Sequence, residues 1–296
     1  MQLNRHIVPF IICFILLFLT GKISAQAVSP WETVAPPGSY VYTDLKTATK
    51  DANVCYRMEI SGTDFLKEKK ILSKPVGLNG LIALRMLNNN LTTLPSSFNY
   101  LPGLKYFASS GNPLTTLSDS LGMWSELRFL ELIGTNFDTL PKGIYGCGRL
   151  FSLSIASNKD TLVITKEIAD LRKTLSEVKI YSTIIDTLPP EIATMPALKK
   201  FVFYKCGLKE IPEPVLQMSQ LSELWLDSNS ITQLPRSISS MKNLSYLSLR
   251  GNHLAHIPST ICFLQNLSVL DLRGNPIDPY EIKTLQALLP SCRILF

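Results

Sequence analysis

Residues 221–266 read LSELWLDSNSITQLPRSISSMKN and then LSYLSLRGNHLAHIPSTICFLQN, two copies of one 23-residue pattern laid end to end. In the second copy Leu247 and Leu249 are two apart, so their side chains share one side of a short extended segment, while Tyr246, Ser248 and Arg250 share the other. The leucines face a core and the residues between them face solvent. Asn252 follows three residues after Leu249, where the chain has to turn. Its amide carries donor and acceptor groups, so it can satisfy backbone groups of its own turn and of the neighbouring copy. Leu254, Ile257, Pro258, Ile261 and Leu264 come next, and their mixed spacing and the proline favour a short irregular or 3₁₀ segment over a full helix.

The pattern, Leu-x-x-Leu-x-Leu-x-x-Asn-x-Leu-x-x-Leu-Pro-x-x-Ile-x-x-Leu, starts nine times, at Leu81, Leu104, Leu127, Leu150, Leu175, Leu198, Leu221, Leu244 and Leu267. The spacing is 23 residues except for 25 between Leu150 and Leu175. A period of this length denotes a solenoid, in which no unit buries its apolar face alone and each stacks on the next. The turn position is Asn89, Asn112, Asn158, Asn229, Asn252 and Asn275, but Thr135, Thr183 and Cys206 in the other units, where weaker pairing is expected.

These units resemble the leucine-rich repeat family, in the 23-residue class of bacterial surface and secreted proteins and of intracellular scaffold proteins. The resemblance implies an α/β solenoid, a horseshoe with a parallel concave sheet, short 3₁₀ or irregular convex segments, and about nine full repeats plus caps.

The ends read differently. Arg5 and His6 precede an apolar run from Ile7 to Thr20, and small residues follow at Ser24, Ala25 and Ala27, the layout of a secretory signal peptide cleaved after Ala25 or Ala27. The run is too short to span a bilayer comfortably, with an uncleaved anchor as the alternative. Residues 1–25 are thus a signal, 26–52 a leader and N-terminal cap segment, 53–80 a degenerate capping repeat, 81–278 the repeats, and 279–296 a C-terminal cap helix and strand. Gln26 to Thr43, rich in Pro, Ser and Gly, reads as an extended or mobile leader, and Asp44 to Asp51 as a short helix. In the capping repeat Cys55, Met58, Ile60 and Phe65 imitate the apolar positions. At the other end Asp278 as N-cap, Pro279 at the first helical position and Glu281 open a helix with Ile282, Leu285, Leu288 and Leu289 on its apolar face. Cys292, Ile294 and Phe296 alternate as a last strand.

Removing the signal takes away Arg5 and Lys22 and no acid, which lowers the formal charge from +6 to +4. That charge is dispersed, whereas nucleic-acid binding wants a dense basic stripe. Of six cysteines, Cys13 leaves with the signal. Cys55, Cys147 and Cys206 occupy repeat positions held elsewhere by Leu, Met or Asn and read as buried thiols. Cys262 and Cys292 leave open a disulfide or two thiols. The clustered four-cysteine caps of animal extracellular repeat proteins are missing, which favours a bacterial origin. No Gly-rich phosphate loop, Gly-x-Ser-x-Gly turn or metal-spaced set occurs, and His253 and His256 read as solvated loop residues. The expected protein is not an enzyme and takes no cofactor or metal.

Function therefore falls to the variable strand positions. Two aromatic groups stand among them: Tyr181, Tyr204, Trp225 and Tyr246 in the later units, with Lys179, Lys200, Glu223, Asp227 and Arg250 around them, and Tyr106, Phe129 and Ile133 in the earlier ones. Aromatic anchors ringed by charge have the residue mix of a binding hot spot. Single surface aromatics also occur without a partner, and neighbouring rings can merely shield each other. The expectation is an exported recognition module, periplasmic, cell-surface or extracellular, that binds a protein through the concave face. The alternatives are carbohydrate binding and inhibition of a secreted enzyme. Asn90, Asn243 and Asn266 match the N-glycosylation pattern, which repeat chemistry explains at the last two, where the middle leucine is a unit's first position.

Overall fold

The computed structural model describes residues 29–62, 77–185 and 187–296. The expected signal peptide and Phe65 lie outside the described residues. The chain winds into one parallel sheet of twelve strands in which each unit adds the next strand in order. Its strands are β1 (Val41–Tyr42), β2 (Arg57–Ser61), β3 (Ala83–Leu87), β4 (Tyr106–Ser110), β5 (Phe129–Thr135), β6 (Ser152–Ser157), β8 (Glu177–Tyr181), β10 (Lys200–Tyr204), β11 (Glu223–Trp225), β12 (Tyr246–Ser248), β13 (Val269–Asp271) and β14 (Arg293–Leu295). The 25-residue unit contributes β7 (Thr161–Leu162), which pairs with β9 (Ile184–Ile185) of the next unit in a separate two-stranded ladder.

Each strand sends alternate side chains inward, and Leu247 and Leu249, with their equivalents in the other units, form one continuous core from Tyr42 to Leu289. The return segments are 3₁₀ turns, and the Leu-Pro-x-x-Ile motif explains them. The prolines at 95, 141, 189, 235 and 258 sit immediately before those turns with φ between −59° and −72°, the value their rings impose. The carbonyl of Pro258 then accepts from the N–H of Ile261, and that of Pro235 from Ile238, which closes one tight turn and drops the isoleucine into the core. At Pro212 the turn is one turn of α-helix, α3 (Glu213–Leu216).

The asparagines form the expected ladder. Asn229 Oδ1 accepts from the N–H of Cys206 (2.9 Å) and Leu208 (3.2 Å) in the preceding unit, while its Nδ2 donates to the carbonyls of Phe203 (2.8 Å) and Leu226 (2.9 Å). Substituted rungs keep part of this. Thr183 Oγ1 accepts from the Ser157 N–H (2.8 Å) and donates to Tyr181 O (2.9 Å), and the Cys206 thiol donates to Ile180 O (3.4 Å). A hydroxyl or thiol has one hydrogen where an amide has two, so these rungs are thinner. Asn243 and Asn266 each donate to a carbonyl one unit back, Ser219 O and Lys242 O at 2.8 Å, so two of the glycosylation-pattern asparagines stitch units together.

At the C-terminal end α4 (Pro279–Leu288) starts on Asp278, whose side chain accepts from the Tyr280 N–H, and buries Ile282 and Leu285. Glu281 ties it to the preceding loop through the Ile257 N–H (2.5 Å) and His256 Nδ1 (2.9 Å). His256 thus has a partner although its ring is exposed.

The N-terminal side departs from the sequence reading. From Ser29 on, the expected extended or mobile leader is a packed segment. Helix α1 (Pro30–Thr33) buries Trp31, a turn at Pro36–Ser39 follows with Gly38 at φ 73°, and β1 pairs with β2 at the edge of the sheet. Helix α2 (Leu45–Lys50), capped by the Asp44 side chain on the Thr47 N–H, buries Leu45 and Ala48. The Pro and Gly content marks the turn, and the physical reason for order is the apolar contact that Trp31 and Val34 find on the sheet. Among the described residues no helix is long and apolar enough to cross a membrane.

Candidate functional site on the concave sheet face

Strand pleating sets the concave face. Residues at one register position stand side by side on successive strands: Glu177, Lys200, Glu223, Tyr246 and Val269 form one row, and Lys179, Val202, Trp225, Ser248 and Asp271 the next. With their core partners pointing away, these side chains are released from packing the solenoid interior.

The row splits into three regions. Over β3 to β5, α1 lies across the face. Trp31 is 7% exposed and Tyr106 is 1% exposed, their rings 5.8 Å apart and tilted by 59°. The Arg85 guanidinium lies 4.2 Å from the Trp31 ring centroid. The reading of Tyr106 as an exposed anchor is corrected accordingly, because the N-terminal segment covers it; Phe129 packs at the margin of the same cluster and Ile133 belongs to the next one. Beside them the Glu131 carboxyl is pushed up by burial, against the Tyr106 hydroxyl hydrogen bond and the Lys179 and Arg85 charges that pull it down.

Over β6 and β8 the face is a shallow floor of Ser152, Ser154 and Ala156, all buried. Tyr181 packs on it with Val202 and is 5% exposed, and burial raises its phenol. Tyr181 is therefore largely covered, with Tyr204 and Trp225 packed against its cluster. Lys179 Nζ meets Glu177 at 2.5 Å and the Ser152 hydroxyl at 3.3 Å. Burial pushes the Glu177 carboxyl up, but the Lys179 and Lys200 ammoniums outweigh it and hold it below its ordinary value.

Over β10 to β13 the predicted residues come together. Trp225 and Tyr246 stack with centroids 4.3 Å apart and 17° between planes. Lys200, on the strand to the other side of β11, places its ammonium 4.9 Å from the Trp225 centroid and pairs with Glu223 at 2.8 Å. The indole Nε1 donates to Glu223 Oε2 at 3.1 Å. Tyr204 stands next to this group with the Lys205 ammonium 5.5 Å from its ring. One strand further, the Ser248 hydroxyl donates to Asp227 Oδ1, and Asp271 holds Arg273 through two hydrogen bonds. Asp227 is pushed up to about 6, chiefly by burial and also by the Asp271 charge, against the Ser248 bond and Arg250. Tyr246 is pushed up to about 12, first by burial and then by Asp271 and Asp227.

Sequence reasoning missed Trp31, because the pattern that locates every other side chain does not extend to it. It placed Ser248 on the solvent side without choosing it and did not single out Asp271; their 23-residue spacing puts them on adjacent strands, and charge beside a hydroxyl was the available signal. All five described cysteines are free thiols, with Cys55, Cys147 and Cys206 buried and each pushed up to about 12 by burial. Among the described residues no three His, Cys, Asp or Glu side chains are grouped to hold a metal ion.

Comparison with known proteins places these features. The leucine rich repeat family model matches residues 218–277. No curated protein sequence matches the chain. Among solved structures, the TLR13–ssRNA13 complex aligns at TM-score 0.64 with 20% identity over 80% of this chain and 34% of that one. The functional domain of InlJ from Listeria monocytogenes aligns at 0.53 with 25% identity over 74% and 44%. An LRR protein of Leptospira interrogans aligns over 87% of this chain and all of its own length, at 20% identity and TM-score 0.39. The chain spans well under half the length of the first two.

Proposed function

We propose that this leucine-rich-repeat chain is a non-enzymatic, exported recognition module that binds a protein partner through the concave face of its later units. The observation that carries the reading is the Trp225–Tyr246 stack, flanked by Lys200 and Glu223 and half-exposed on the face that the core does not use. Stacking fixes both rings at low conformational cost, so little rotamer entropy remains to be lost when a partner closes over them. Charges around them are already paired, Lys179 with Glu177, Lys200 with Glu223 and Arg273 with Asp271, which leaves the strip near neutral and favours a protein over a polyanion.

Ring geometry supports this reading over carbohydrate binding. Sugars stack on open ring faces, and Trp225 has Tyr246 against one side and Lys200 over it from the strand on the other. The decisive test captures proteins from the culture medium of the source organism on the immobilised chain. The Trp225→Ala, Tyr246→Ala double variant should lose the captured protein, with thermal unfolding shifted by no more than a few degrees. Equal capture by the variant would sink the proposal.

A further inference from the structure

The early end of the concave face holds a hollow that is already filled. Its floor is Ala83 and Ala108, which stand next to the larger Arg57 and Tyr106 and Arg85 and Glu131 at the same register on adjacent strands, and Arg85, Tyr106 and Phe129 stand around it. Trp31 occupies it, with Val34 packed alongside. The walls are held independently of the occupant: Arg85 meets Glu59 at 3.6 Å, and Tyr106 is hydrogen-bonded to Glu131. The Arg85 guanidinium over the ring and the inclined Tyr106 ring favour an aromatic side chain, an indole most strongly.

How the occupant is held differs from how the solenoid is held. The N–H groups of Glu32 and Val34 bond locally, to Ser29 O and Pro30 O, and the cross-link to the sheet is the Arg57 side chain on Glu32 O at 2.5 Å. Among the described residues no strand ladder joins Ser29–Ala35 to the face; the ladder begins at Val41, which packs at the edge of the same cluster beyond the Pro36–Ser39 turn. A segment fixed by side chains and tethered through one turn can leave without breaking the sheet.

We infer that this hollow is a second binding subsite, for a partner peptide segment that presents a tryptophan, and that Ser29–Ala35 fills it in cis as an intramolecular competitor. Opening it requires displacement of Trp31, so apparent affinity for such a segment is reduced by the fraction of molecules in which the hollow is closed. The inference does not depend on the Trp225–Tyr246 strip, which lies on other strands.

The test uses a fluorescent SPWETVA peptide, the sequence of residues 29–35, titrated by anisotropy into the full chain and its Trp31→Ala variant. Trp31→Ala should bind it at least about tenfold more tightly than the parent chain. Adding Arg85→Ala, or replacing the peptide's tryptophan by alanine, should abolish that gain. Equal or absent binding by a Trp31→Ala protein with parent-like circular dichroism would overturn the inference. So would a parent chain that is dimeric and becomes monomeric on Trp31→Ala, which would assign the hollow to a second copy. Hydrogen exchange on the parent chain covers a variant that does not fold: the Glu32 and Val34 amides should exchange far faster than those of β4, and equal protection would make the segment a structural cap and refute the inference.

Discussion

Asp227→Asn should stabilise the protein at neutral pH, although it removes a charge from a face that has an Arg neighbour. Burial and the Asp271 carboxylate raise the Asp227 carboxyl from its ordinary 3.8 to about 6. A carboxyl raised in the folded state binds its proton more tightly there than in the unfolded chain. Its contribution is therefore fully present below about pH 3.8 and is lost as pH rises through about 6. The shift corresponds to about 3 kcal/mol, and water reaching the partly exposed group trims that to about 1–3 kcal/mol. The amide of Asn has the same shape, still accepts from Ser248 through its oxygen, and relieves the repulsion with Asp271. Urea unfolding of both proteins at several pH values between 4 and 8 reads the effect. The variant's advantage should be largest above pH 7 and shrink steadily as the pH falls through 6 toward 4. A difference that is constant across the range, or a variant destabilised at pH 7.5, would refute the argument that burial of the charge dominates this site.

Further outcomes follow from the ladder and the thiols. Asn252→Ala leaves the Ile231 N–H without its 3.1 Å acceptor and removes two donations, to Leu226 O and Leu249 O, which keep Asn229 and Asn275 as partners. It should cost about 2–4 kcal/mol in urea unfolding, clearly more than Asn158→Ala, whose amide donates to Gly134 O; equal losses would show that rung position does not matter. Cys55, Cys147 and Cys206, buried and pushed up to about 12, should stay unlabelled by iodoacetamide at pH 8 until denaturant is added, as read by intact-mass spectrometry. Glu281→Ala removes the acceptor for the Ile257 N–H and should lower stability by about 1 kcal/mol, seen as earlier hydrogen exchange in α4 and the preceding loop.

Legibility varied with distance along the chain. Leu247 and Leu249 inward, Tyr246 and Ser248 outward, and Asn252 at the turn were all readable because period-two alternation and a polar turn residue are local properties. Stacking at fixed register then carried Trp225 beside Ser248 and Lys200 beside Glu223 with no further information. Exposure was not readable. Tyr106 and Tyr246 occupy the same register position and Tyr181 another on the same face, yet the first is covered by Trp31, the second is buried against Ala156 and Val202, and the third is half-open. Neighbouring side-chain volume decides between these, and volume on a curved face depends on residues one and two units away.

By itself, the sequence determined the solenoid, its register, its turns and the identity of every strand side chain that the repeats place on the concave face, because a repeat whose units bury one another has a single way to stack. Tertiary structure alone decided which part of that face is open. Trp31 reaches Tyr106 across 75 positions of chain through a segment with no repeat, and no local pattern encodes such a contact. It forms because Ala83 and Ala108 leave a space beside Arg85 that an indole fills, a complementarity that exists only once β3 and β4 stand side by side.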